Sequence, residues 1–295
     1  MGRFKMENDR LVVTIDDLGA ELVSIYDKKY SRELIWQGDP AWWKRQAPIL
    51  FPNVGKFYGG EYLYQGRHYV QDQHGFARDY VLERVEESPA SVTHRLVSNA
   101  ETRKVYPFDF ELMITHRLDG DKVDIQWQVK NTGDHLMHFT IGGHPGFNVP
   151  VLPDTEYSDY ALKFAEDQDE LHFIHIDMNT GTGLPDKVYT MTLTDHKYQL
   201  RKDLFDLDAL VFDGGQIRQA GIVMPDGSDY LTLLCDGFPN FGIWAAPGAP
   251  FVCLEPWCGR CDNFGYEGEL QDKPGINSLN VDETFKKVYS IVIGG

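Results

Sequence analysis

Positive charge is scarce in this sequence. Its 295 residues carry 28 Lys and Arg against 45 Asp and Glu, a formal net charge of −17. Nucleic acids and anionic membranes need a basic face, so neither is expected as a partner. No run of about 18 apolar residues occurs, which excludes a transmembrane helix. Met1 to Asp9 contain no apolar core and do not read as a secretory signal. The expected setting is cytoplasmic, with the four cysteines reduced. Cys258 and Cys261 have the spacing of a thioredoxin motif. That motif requires a following helix whose N-terminus stabilises a thiolate, whereas Asp262 to Gly268 read as a loop. Cys235 and Cys253 have no neighbours at zinc-ligand spacing. Heptads, 20–50-residue repeats and linkers of disordered composition are also missing.

What is present is alternation of period two. Val123, Ile125, Trp127 and Val129 interleave with Asp124, Gln126, Gln128 and Lys130, which predicts a strand over Lys122–Asn131 with one buried face. Phe110–His116 alternates likewise, and Asp119-Gly120-Asp121 predicts the hairpin turn between them. Leu11–Ile15, Ser91–Val97, Tyr230–Cys235 and Val288–Ile293 are further strands. Helical signals are confined to Pro40–Gln46 and Asp203–Leu210, about two turns each. The expected architecture is all-β: one continuous domain over residues 1–295, built as a sandwich of large, mostly antiparallel sheets.

Three windows carry polar groups at strand ends. Phe251-Val252-Cys253-Leu254 runs into Glu255, and Pro256 is expected to stop further pairing. Glu255 shares a face with Phe251 and Cys253, so its carboxyl is partly desolvated and its pKa rises toward the range of a general base. The alternative is a solvated Glu, or one paired with Arg260. Thr140 to Asn148 places His138, Thr140, Gly142 and His144 on one expected face, followed by Pro145. Gln73 to Asp79 puts His74 at a glycine turn. One carboxylate and two histidines at strand ends make an acid–base set. A metal site from His135, His138 and His144 is rejected, because His135 falls on the opposite face.

These windows, in this order and at these separations, resemble the aldose 1-epimerases (galactose mutarotases), most closely their LacX-like branch. The resemblance runs from about Leu18–Leu22 to Val288–Ile293 and implies the large galactose-mutarotase-like antiparallel β-sandwich, with the site in a groove across one sheet. It implies a mutarotase that interconverts the α and β anomers of a hexose without metal or redox cofactor. A base takes the proton of the C1 hydroxyl and an acid protonates the ring oxygen. The likeness implies Glu255 as base and His144 as acid. His74 would position the sugar, and Asp208 would clamp two hydroxyls, with Asp206 competing for that role. Arg45 matches an arginine of the divergent members, its rigid fork suited to hydroxyls or phosphate. Trp42, Trp43, Trp244 and Trp257 include candidates for an aromatic wall.

One stretch departs from the pattern. Where galactose mutarotases carry an Asn-Arg pair shortly after Gly-Arg, this chain reads Val54-Gly55-Lys56-Phe57-Tyr58-Gly59-Gly60. Lys56 stands at the first arginine, the pair is missing, and galactose is in doubt. A hexose 6-phosphate held by Arg45, Lys56 or Lys44 is one alternative. A catalytically inactive sugar sensor on the same scaffold is another. A glycosidase needs two carboxylates flanking the bond, for which only Glu255 and Asp208 are on offer.

Overall fold

The computed structural model describes residues 2–295. Nearly all of its regular structure is strand, arranged mainly in two large antiparallel sheets. The nine-stranded sheet runs in the order Lys197–Gln199, Ala161–Phe164, Gln219–Val223, Asp229–Leu234, Thr284–Ile293, Lys122–Asn131, Phe110–Asp119, Ser91–Val97, Glu83–Ser88. Lys122–Asn131 has the predicted bounds and buries every second residue. It joins Phe110–Asp119 through a two-residue turn at Gly120-Asp121, as the Asp-Gly signal requires.

The eight-stranded sheet runs Gly183–Thr192, Glu170–Ile176, Leu210–Phe212, Asn240–Trp244, Phe251–Cys258, Ile141–Gly143, Ile49–Leu50, with Gly146–Asn148 also pairing to Phe251–Cys258. The main core takes Leu210, Phe212, Phe241 and Leu254 from this sheet and Leu112, Trp127 and Ile291 from the other. Alternation sends the remaining side chains to the opposite face. There Leu50, Val54, Ile174, Val211 and Trp257 form a second, smaller apolar cluster.

Three expectations change. Neither predicted helix forms. In Asp203–Leu210 the amides of Asp206 and Asp208 bond three residues back, to Asp203 and Phe205, and Asp208 at φ 67° ends the run of turns. In Pro40–Gln46 a single turn closes on Asp39, after which Trp43 packs against Phe251 and its carbonyl accepts the Trp36 indole N–H. Tertiary packing overrides a weak local preference. Pro256 does not stop its strand, which continues to Cys258. Its edge toward the neighbouring strand falls in a break: Gly146–Asn148 covers residues 251–253 and Ile141–Gly143 covers 257–258. The amide of Leu254 bonds Pro145 across that seam, and two residues on, proline's missing N–H costs no ladder bond. Finally, His138 and His144 do not share a face. The chain changes sheets at Thr140: Met137–Phe139 pairs with Asn277–Leu279, whereas Ile141–Gly143 pairs with Phe251–Cys258.

Candidate active site

Glu255 stands mid-sheet on the outer face, two residues before Trp257, and is only 1% exposed. The seam opposite Pro256 brings in His144, the residue that interrupts the partner strand, so that His144 Nε2 lies 3.3 Å from Glu255 Oε2. Trp43 stacks on the His144 ring at 4.7 Å between centroids and Trp244 meets it edge-on at 5.7 Å. His74 approaches it edge-on at 5.6 Å.

Local backbone fixes His74. It sits at φ 68° ahead of Gly75, where a Cβ would come within 2.3 Å of the Phe51 carbonyl. Its amide bonds the Gly55 carbonyl, and its Nδ1 accepts the Gly55 N–H at 3.0 Å. The ring therefore carries its proton on Nε2 when neutral, a donor for a hydroxyl or ether oxygen. Glu21, from the segment before Leu22–Asp27, accepts the amides of Gln46 and Ala47 at 2.8 Å each and so anchors the loop bearing Trp43 and Arg45.

Burial dominates the electrostatics. It lowers the His144 pKa to about 3, helped by the positive charges of Arg78 and Arg45. Burial also holds His74 well below the usual imidazole range, with His144, Arg78, Arg45 and Lys56 adding to the effect. Glu255 goes the other way. Burial pushes its carboxyl well above the usual range and the Asp208 carboxylate reinforces this, while the Trp257 indole N–H opposes it. Glu255 Oε2, His144 Nδ1 and Trp257 Nε1 are all buried without a hydrogen-bond partner. Such groups are costly in a fold and mark places where a polar ligand completes the hydrogen bonding.

The other sequence candidates are placed as follows. The Asp208 carboxylate reinforces the upward shift of Glu255 and accepts the Ala209 amide, whereas Asp206 is exposed. Lys56 contributes to the field at His74, its aliphatic stem against Gly181. The Arg45 charge lowers both histidines, and its guanidinium donates to Asp79 at 2.8 Å. Trp42 is 44% exposed, outside the wall formed by Trp43 and Trp244. Arg260 is paired with Asp213 at 3.0 Å, which removes it as a partner for Glu255. Cys258 and Cys261 are buried free thiols, burial pushing Cys258 up to about 12 and raising Cys261 as well, the opposite of an activated pair. Donor atoms of His144, Cys253 and Glu255 lie within 4.8 Å of one another. A metal there would need the Cys253 thiolate, which burial and the neighbouring Glu255 disfavour. Sequence reasoning missed Arg78 as a functional group. It lies four residues after His74 in the same window, and its charge lowers both histidines more than that of Arg45 does.

A buried carboxyl and imidazole in contact, with indoles stacked on the imidazole, can exchange a proton with a polar ligand. A family model described as aldose 1-epimerase matches residues 2–290. The chain belongs to the aldose 1-epimerase family. This epimerase-family chain is 33% identical over 301 residues to the chromosomal LacX protein of Lactococcus lactis subsp. lactis, with 98% of each covered. Among solved structures, a galactose mutarotase related enzyme from Lactobacillus acidophilus superposes with a TM-score of 0.93 at 31% identity, covering 100% of this chain and 98% of that one. A galactose mutarotase-like protein from Lactobacillus casei gives 0.89 at 28%, covering 99% and 100%. The all-β, galactose-mutarotase-like architecture expected from the sequence is the one found. No helix among the described residues is long and apolar enough to cross a membrane.

Proposed function

We propose that this protein is an active aldose 1-epimerase that interconverts the α and β anomers of a free aldohexose. The observation that carries the reading is the buried Glu255–His144 contact at 3.3 Å. Ionised Glu255 accepts the proton of the C1 hydroxyl, and protonated His144 donates to the ring oxygen. The ring opens, the C1–C2 bond rotates, and the same two groups return their protons on the other face. Burial favours the uncharged pair, Glu255 protonated and His144 neutral. The ion pair holds the same single proton, so reaching it requires only transfer between the two residues. The pair thus titrates as one unit.

His74 donates its Nε2 proton to the sugar, Asp208 and Lys56 hold hydroxyls, and Trp43 and Trp244 cover the apolar face of the ring. Arg45 is committed to Asp79, which favours an unphosphorylated sugar over a 6-phosphate. The test is anomer exchange of aldoses, with and without a 6-phosphate, followed by NMR or polarimetry. Exchange above the spontaneous rate that is lost in Glu255→Gln supports the reading. Sugar binding without exchange makes the protein a sensor.

A further inference from the structure

Trp257 carries a buried indole N–H with no partner, and Glu255, whose carboxyl that indole acts on, has an oxygen that also lacks one. Its ring is bedded on two glycines. A Cβ at Gly142 would come within 2.4 Å of its Cδ1, and one at Gly242 within 2.3 Å of its Cζ2 and Cη2. Gly142 is the register partner of Trp257 itself, but Gly242 is the partner of Glu255. The indole therefore lies diagonally across the sheet, reaching back from its own level to that of Glu255. Any larger residue at either glycine forces the ring out of this plane. Leu50, Val54, Ile174 and Val211 pack around it, so the ring cannot swing to solvent to satisfy its N–H.

We propose that Trp257 is a positioning residue for Glu255, its N–H donating to the carboxylate once Glu255 ionises. The inference rests on the epimerase reading above. The other titratable groups around Glu255 are His144 from the seam and Cys253 on its own strand, and the charge of Asp208, from the loop before Leu210–Phe212, also acts on it. Asp208 opposes ionisation, and the thiol of Cys253 is a weak donor. Trp257 is thus the fixed neutral N–H available to the ionised form, and its rigidity means that no reorganisation accompanies proton transfer.

The consequences are directional. Removing the N–H destabilises ionised Glu255 both in the reactive ion pair and in the fully deprotonated pair. The kcat plateau falls, and the alkaline limb of the pH profile moves up, because the pair gives up its last proton less readily. A hydrogen bond to a charged group corresponds to about a tenfold fall and a shift of about one pH unit.

The experiment is anomer exchange against pH for wild type, Glu255→Gln, Trp257→Phe and Gly242→Ala. Trp257→Phe keeps an aromatic ring on the glycines, and Gly242→Ala displaces the indole without touching a polar group. The inference expects both to lower the plateau and raise the alkaline limb. A lowered plateau with the limb unmoved, or a wild-type profile, overturns it. If either variant does not fold, the Trp257 indole ¹⁵N–¹H signal in the wild type decides: it must titrate with the alkaline limb and cease to do so in Glu255→Gln. A signal indifferent to that limb overturns the inference. Failure of the functional reading looks different, since Glu255→Gln would then exchange anomers as the wild type does.

Discussion

Among the described residues there are two buried contacts between a histidine and a carboxylate, and they are 3.3 Å long in each case: His144 with Glu255, and His94 with Asp17. Distance and burial do not distinguish them. The surroundings of the carboxylate do. Asp17 also receives Arg84 at 2.9 Å and the Gly2 amide at 2.8 Å, so its charge is compensated from three sides. Glu255 has an oxygen without a partner, a second carboxylate nearby and no cation of its own. The first arrangement is a clamp between the chain start and the edge of the nine-stranded sheet. The second keeps a proton mobile. Satisfied buried charge signals architecture, and unsatisfied buried charge signals chemistry.

Swapping the carboxylates out one at a time should invert the two phenotypes. Glu255→Gln should cost about 10²–10⁴-fold in turnover while leaving urea stability equal or improved, because an uncompensated buried acid has gone. Asp17→Ala should leave polarimetric turnover unchanged and lower stability by about 2 kcal/mol, a figure discounted because Arg84 is partly exposed. Equal effects of both on turnover would erase the distinction.

The next largest effect separates the two site histidines. His144→Gln should lower kcat and kcat/KM together, since protonation of the ring oxygen occurs only as the ring opens. His74→Gln should raise KM in addition, because its donor serves the bound ground state. Steady-state polarimetry on one good aldose decides, and the reverse pattern exchanges their roles.

The two pairs should also part in their pH dependence. Glu255 has a folded pKa raised above its unfolded value, so its contribution to stability is full below the unfolded carboxylate pKa and is lost as pH rises through the folded one. The gain in Tm from Glu255→Gln should therefore grow with pH. His144, lowered to about 3, works in the opposite sense. Its contribution is present above the usual imidazole range and is lost as pH falls toward about 3, so His144→Gln should blunt acid unfolding. Turnover should decline on the alkaline side, where the pair has lost its one proton. Thermal scans and rate profiles across pH check both.

The smallest effect is expected away from both pairs. Cys258→Ser with Cys261→Ser should leave turnover unchanged under reducing conditions. Burying two hydroxyls should cost on the order of 1 kcal/mol each. A large kinetic loss in the folded variant would revive a redox role.

Lys122–Asn131 was legible to the residue, because one face of it meets the core and the other meets water. Glu255, His144 and His74 were legible as polar groups beside apolar runs; Glu255 lies inside its strand rather than at its end, and the structure sets His144 against both Glu255 and His74. The readings that failed depend on a neighbour that no local pattern shows. Pro256 continues its strand because the adjacent one is broken, and His138 parts from His144 because the chain switches sheets between them. Arg78 and Trp257 were in view as letters, but a field acting on two rings, or an N–H without a partner, exists only in three dimensions.

Pro145 and Pro256 both lie at the seam where one sheet line is covered by two half-strands. This has a bearing on transplantation. Copying Glu255, His144 and His74 onto a regular antiparallel sheet would fail. An unbroken neighbour would supply an amide–carbonyl ladder where His144 must turn inward, and it would fill the gap that a proline tolerates. The transferable unit is the interruption itself: two half-strands, a proline on each side, and the glycines that let an indole lie flat beside the acid. A designer seeking a proton-transfer pair inside a β-scaffold would begin by leaving out hydrogen bonds rather than by adding side chains.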